Sequence, residues 1–135
     1  KPVARLNGTS DIAWEKYLVP QLHETIQFWD YTKVWYRMER LFRGDFPSNY
    51  HLTYSRSEDT HDSRIDEVIE NNFNVAVVFD TPKTKALPTE WMGYEVIDGR
   101  LHDYRFRDPK GVIVGLSALG AARNDRTGFV VRLEN

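Results

Sequence analysis

Phe73–Asp80, FNVAVVFD, decides the fold. Val75 to Phe79 is an unbroken apolar run, too short for a free-standing helix, led in by Asn71-Asn72 and ended by Asp80-Thr81-Pro82. A run of that length between turn formers reads as a strand covered on both faces. Three earlier stretches share its grammar. Val3–Leu6 runs into Asn7-Gly8-Thr9-Ser10-Asp11, Gln27–Trp29 into Asp30-Tyr31-Thr32-Lys33, and Tyr50–Tyr54 into Ser55-Arg56-Ser57-Glu58-Asp59. Each is followed by a helical pattern. A repeated strand-then-helix rhythm predicts an α/β fold, with a mainly parallel sheet or an open partial (β/α) barrel whose strand ends share one rim.

The intervening helices are read from three- and four-residue spacing. Ile12, Trp14, Tyr17, Leu18, Leu22 and Ile26 give one helical face, with Pro20 as a kink or restart. Val34, Trp35, Met38, Leu41 and Phe42 give a second, with Arg37, Glu39, Arg40 and Arg43 falling mostly off it and Gly44 ending it. A short third helix, capped by Asp62 or Ser63, turns Ile65, Val68 and Ile69 inward. After Asp80 the rhythm breaks into a Pro- and Thr-rich loop to Glu90, of the kind that borders sites. Asp98-Gly99, between Tyr94–Ile97 and Arg100–Phe106, predicts an appended antiparallel hairpin. Val112–Leu116 is the last clear strand, and Phe129–Val131 reads as a closing one at an edge.

The totals exclude several classes. The 135 residues are read as one α/β domain, large enough for a core without staples. The chain has no cysteine, so disulfides, thiol nucleophiles, thiolate zinc and cysteine-ligated clusters are impossible within it. A formal charge of -2 gives no global attraction to nucleic acid or membrane, so a polyanion site has to be a local patch. No apolar run reaches the roughly 18 residues of a membrane span. The first residue is Lys with a strand pattern starting almost at once, as in a fragment or processed product.

Ligands of parallel α/β folds sit beyond the carboxyl ends of the strands. The expected rim therefore collects Asn7, Thr9, Ser10, Asp11, Asp30, Lys33, Ser55, Ser57, Glu58 and Asp80. Most of these types also cap helices and form turns, but Lys33 and Glu58 are not needed as caps. Lys33, opening a helix beside Asp30, supplies a point charge for phosphate or carboxylate. Asp11, Asp30, Glu58 and Asp80 are carboxylates of the kind that hold Mg²⁺, although their spacing is not diagnostic and no metal ligand is assigned. His102 and Arg105, with Arg100 and Arg107 around Tyr104 and Phe106, form the one basic and aromatic cluster. From Arg100 onward seven Lys and Arg stand against four Asp and Glu. That cluster could serve as a phosphate or nucleic-acid face, but its alternation reads first as a half-buried edge strand with rings on one side and guanidinium groups on the other. There is no glycine-rich phosphate loop and no G-x-S-x-G elbow.

Several blocks carry a family resemblance. Val3 to Glu15 (VARLNGTSDIAWE), Phe28–Lys33 (FWDYTK), His51–Glu58 (HLTYSRSE), Asn74–Phe79 (NVAVVF), Val96–Gly99 (VIDG), His102–Phe106 (HDYRF) and Gly111–Leu116 (GVIVGL) resemble, in the same order, uncharacterised phage and prophage proteins of the gene product 88 group. Longer members carry a cysteine-rich segment ahead of the Leu-Asn-Gly-Thr-Ser-Asp block. The resemblance thus implies the C-terminal part of a longer protein, with a partial barrel similar to that of radical SAM enzymes. It also implies a phage-derived accessory protein in the host cytoplasm.

The expected function is binding of an anionic ligand, a nucleotide, phosphate or nucleic-acid end, at the strand-end rim. An enzyme or enzyme fragment, related to radical SAM-like partial barrels or using rim carboxylates with a divalent metal, and a module that binds a host protein are the alternatives, and no cofactor is assigned.

Overall fold

A computed structural model describes residues 2–17 and 23–133. The chain forms two compact units. The first is residues 1–54 with Tyr104–Asp108, and the second is Ser55–Asp103 with residues 109–135.

In the first unit β1 (Val3–Arg5), β2 (Gln27–Thr32) and β3 (Tyr50–Ser55) run parallel, with Val3 opposite Gln27 and Phe28 opposite Tyr50. This is the expected direction, because each connection is long enough for a crossover. Between β2 and β3 lies α1 (Trp35–Phe42). Its first turn is held by Thr32, whose hydroxyl accepts from the Val34 amide at 3.0 Å. Gly44 ends it at φ +80, with its amide donating to Leu41 and the Asp45 amide to Arg40.

Two expectations fail here. The helix predicted over Ile12–Ile26 is, in its described part, a 3-10 turn at Trp14–Tyr17 and a turn at residues 23–25, while Leu18, Pro20 and Leu22 lie outside the described residues. In addition, Arg37 and Arg40, expected away from the apolar face of α1, are buried beside Met38. The burial of the two arginines has a clear cause. The 3-10 turn carries Glu15 inward, and its carboxylate receives both guanidinium groups.

The second unit is built on β4 (Val75–Phe79), whose Val75, Val77 and Phe79 are fully enclosed. It pairs parallel with β7 (Ile113–Ser117), and β7 pairs parallel with β6 (Tyr94–Asp98). Before β4, α2 (Asp62–Glu70) buries Ile65 and Val68. It is capped by His61 rather than Asp62 or Ser63, the His61 Nδ1 accepting from the Ser63 amide at 3.2 Å. Asn72 stops it in the left-handed region at φ +70.

The antiparallel hairpin exists, but one turn earlier than predicted. β5 (Glu90–Trp91) pairs antiparallel with β6 through Met92-Gly93, both at positive φ (+53 and +80). Asp98-Gly99 does not make a hairpin. Gly99 donates its amide to Gly115, and the Asp98 carboxylate takes the Arg100 amide and guanidinium, so β6 is left parallel to β7. The strand expected over Arg100–Phe106 is instead a bend followed by a 3-10 turn, Arg105–Arg107, which belongs to the first unit and packs on β2. The closing strand at Phe129–Val131 reduces to a single parallel bridge between Val131 and Phe79. Among the described residues no helix is long and apolar enough to cross a membrane.

Candidate functional site

In the first unit the predicted rim residues meet, and they meet one another. The Asn7 amide and side-chain amide donate to the two Asp30 oxygens at 2.8 and 3.1 Å, while Asn7 Oδ1 accepts from Ser10, Trp14 and the Ile12 amide. Asp11 accepts from the Thr32 hydroxyl at 2.7 Å, the Lys33 amide at 2.8 Å and Arg37 at 2.7 Å. Tyr50 donates its hydroxyl to Asp30 and accepts from Arg37 at 2.8 Å. A continuous chain of polar groups thus runs from Asp30 through Tyr50 and Arg37 to Glu15 and Arg40. Thr9, Ser10 and Lys33 are exposed.

Burial sets the protonation of this chain. Desolvation pushes the Asp30 carboxyl above its ordinary value, against the hydrogen bonds from Tyr50 and Asn7. Burial and the bond to Asp30 push the Tyr50 hydroxyl well up, so it stays a donor. Burial also acts to raise Glu15, but the bonds from Arg37 and Arg40 outweigh it and hold that carboxyl low. Arg37 is likewise driven up, its desolvation being outweighed chiefly by the bond to Glu15. Such a network fixes a fold and leaves little to offer a ligand.

Ser55, Ser57, Glu58, Asp80 and His102 lie in the second unit. Ser57 is turned into its own loop, its amide donating to Thr60 Oγ1 at 3.0 Å; Glu58 and His102 are exposed. Asp80 is different, because it lines a cleft. About 400 Å³ in volume, this cleft is bounded by Asp80, Thr81, Pro82, Lys83, Thr84, Ala118, Arg123 and Arg132. Asp80 follows β4 and Ala118 follows β7, so the cleft sits beyond the carboxyl ends of two paired parallel strands. This is where the α/β pattern predicts a ligand.

The walls of the cleft are held in place. Arg100 donates to the Pro82 and Lys85 carbonyls at 3.2 and 3.1 Å and to Ser117 Oγ at 3.0 Å, and it chelates Asp98. One guanidinium thereby fixes the loop that carries Lys83 and Thr84. Arg132 donates to the Arg123 and Asp125 carbonyls at 3.0 and 2.6 Å. Among the described residues, the Lys83 ammonium and the Arg123 guanidinium enter no ion pair, so the lining holds three cations against the single carboxylate of Asp80.

Arg105, predicted as a surface ligand group, is fully buried with Asp108 at 3.3 Å. Among the described residues no three His, Asp or Glu side chains form a group that could hold a metal ion, so Asp11, Asp30, Glu58 and Asp80 make no such set. The reading of single residues missed Lys83, Arg123 and Arg132. The signals were present in coarser form, in the long loop after Asp80 and in the basic excess after residue 100.

The family model for gene product 88 (GP88) matches residues 1–133, and the chain belongs to that family. No curated protein and no solved structure matches it.

Proposed function

We propose that this member of the gene product 88 family binds a phosphate-bearing anion, whether nucleotide, free phosphate or nucleic-acid end, in the cleft beyond β4 and β7. The observation that carries the reading is the company of Lys83, Arg123 and Arg132 around one strand-end cleft. Guanidinium groups fit phosphate oxygens two at a time, and an ammonium adds a point charge. Thr81 and Thr84 supply hydroxyl donors on the same wall. The volume suits a small ligand. The first-unit rim is less suited, because Asp11 and Asp30 are engaged by its own side chains and amides.

Calorimetric titration with inorganic phosphate, nucleoside monophosphates, and oligonucleotides with and without a 5′-phosphate tests this. Arg123→Ala is expected to weaken the best ligand about tenfold to hundredfold, from the loss of a charge-assisted contact of about 1.5–3 kcal/mol. If Lys33→Ala causes that loss and Arg123→Ala does not, the ligand sits on the first-unit rim and the cleft reading fails.

A further inference from the structure

The outer face of α1 carries a second concentration of positive charge, built around an aromatic ring. Tyr36 is 52% exposed, although it sits on a helix whose neighbouring Arg37 is buried. Arg40 and Arg43 follow it at i+4 and i+7, which places all three on one stripe. Lys16 joins them from the 3-10 turn. The Arg40 guanidinium lies 4.5 Å from the ring centroid, the Lys16 ammonium 5.4 Å and the Arg43 guanidinium 6.0 Å. Nearby Tyr17 is 64% exposed.

Not all of this charge is offset locally. Arg40 is nine-tenths buried and gives Nη2 to Glu15, yet among the described residues its Nε and Nη1 groups find no hydrogen-bond partner. Arg43 pairs at 3.3 Å with Asp45, but both partners are more than half exposed, and a pair of that kind is worth little in water. Lys16 enters no ion pair among the described residues. Glu39 and Asp45 are the exposed carboxylates close by in sequence.

We infer that this face binds single-stranded nucleic acid, with a base stacked on Tyr36 and the flanking phosphates held by Lys16 and Arg43. The buried Arg40 guanidinium covers part of the ring, the half that remains exposed offers a surface for an unstacked base, and the exposed Lys16 and Arg43 offer charge for its backbone. A duplex, with its bases already stacked, has no base to offer the ring. The chain's net negative charge gives no global attraction, so a polyanion has to be drawn by a local patch. The inference does not rest on the cleft, which lies in the other unit.

The test is fluorescence anisotropy of a labelled oligothymidylate of about 16 nucleotides, with thermal melts as the check on folding. Binding is expected to weaken with salt. Tyr36→Ala is expected to weaken it about 5- to 150-fold, the equivalent of losing one stacked base, whereas Tyr36→Phe keeps the ring and the affinity. Lys16→Gln is expected to reduce the slope of log K against log salt by about 0.7. The double substitution Lys83→Ala, Arg123→Ala, which empties the cleft of two cations, is expected to leave oligothymidylate binding unchanged. Equal affinity for wild type and a folded Tyr36→Ala overturns the inference. So does loss of oligothymidylate binding in the cleft variant alone, or capture of polyglutamate with no affinity for the oligonucleotide.

Discussion

In the first unit the enclosed positions include the charged Arg37, Arg40, Arg105, Glu15 and Asp30 alongside Phe28, Met38 and Leu52, whereas among the described residues those of the second unit are uncharged, chiefly Ile65, Val68, Val75, Val77, Phe79, Ile113, Val114 and Val130, with Asn74 and Thr81 as the polar ones. The cations of the second unit's cleft, Lys83, Arg123 and Arg132, stand exposed beyond its strand ends. Both units are built on parallel strands that end in polar turns. They differ in where the polar groups at the strand ends point. In the first unit, Asn7, Asp11, Asp30 and Thr32 close on one another and on α1. In the second, Asp80 shares its cleft with side chains from two later segments. A convergent rim is therefore a property of the topology, and the two rims differ in how far their side chains are used up in pairing with one another.

The largest test of that contrast is to remove one buried cation. Arg37→Ala leaves Glu15 and Asp11 without their shared partner and Tyr50 without its donor, and is expected to cost about 3–5 kcal/mol. In the second unit Ile113→Ala is expected to cost about 2–5 kcal/mol by leaving a cavity. Hydrogen exchange resolved by peptide checks both, with protection lost in the unit that carries the change. Equal, small effects of Arg37→Ala in both units would break the contrast.

Acid sharpens it, because the two buried carboxylates act with opposite sign. Glu15 is held below its ordinary 4.5, so its contribution is present above that pH and is lost as pH falls through the lowered value. Asp30 is raised above its ordinary 3.8, so its contribution is fully present below 3.8 and is lost as pH rises through the raised value. In Glu15→Gln the first unit should therefore gain stability on mild acidification, and in Asp30→Asn it should lose it. In the second unit Asp98, held low by Arg100, and Asp125, held low by the Thr127 hydroxyl, contribute stability that is lost as pH falls below their ordinary 3.8. Urea unfolding followed by exchange across the acid range reads all three slopes.

The smallest expected effect is a gain. Met92 occupies the left-handed region at φ +53, a conformation that costs a non-glycine residue roughly 1–2 kcal/mol. Met92→Gly relieves this at the hairpin turn, less the flexibility it adds to the unfolded chain, so a net gain of under about 1 kcal/mol in thermal unfolding is expected.

The sequence shows most of this fold because its strands are marked by composition. Val75–Phe79 can hardly be anything but an enclosed strand, and Gly44 and Asn71-Asn72 mark helix ends that the backbone confirms. What it hides follows from pairing at a distance. Asp98-Gly99 is a strong local hairpin signal, overridden because Arg100 engages Asp98 and the loop beyond Pro82. Arg37 and Arg40 look solvated until Glu15 is known to reach them, 22 and 25 residues away. Of the candidate site, only Asp80 was legible by name. Lys83, Arg123 and Arg132 share a wall through β4, β7 and the Val131 bridge, a juxtaposition that no local spacing encodes.

The placement of residues 104–108 has a consequence for how the protein is made. These residues belong to the first unit, where the 105–107 turn packs on β2, yet they emerge from the ribosome 50 residues later than Tyr54. At ordinary rates of synthesis that interval is about 3–10 s. During it the N-terminal unit has its three parallel strands and its Glu15–Arg37 pair but lacks Arg105 and Asp108. The second unit's α2, β4, β5 and β6 are all translated in that window, before the first unit receives its closing piece. A nascent chain stalled at Asp103 should therefore hold a first unit that opens more readily than in the finished protein, with the protease sensitivity of β2 as its signature.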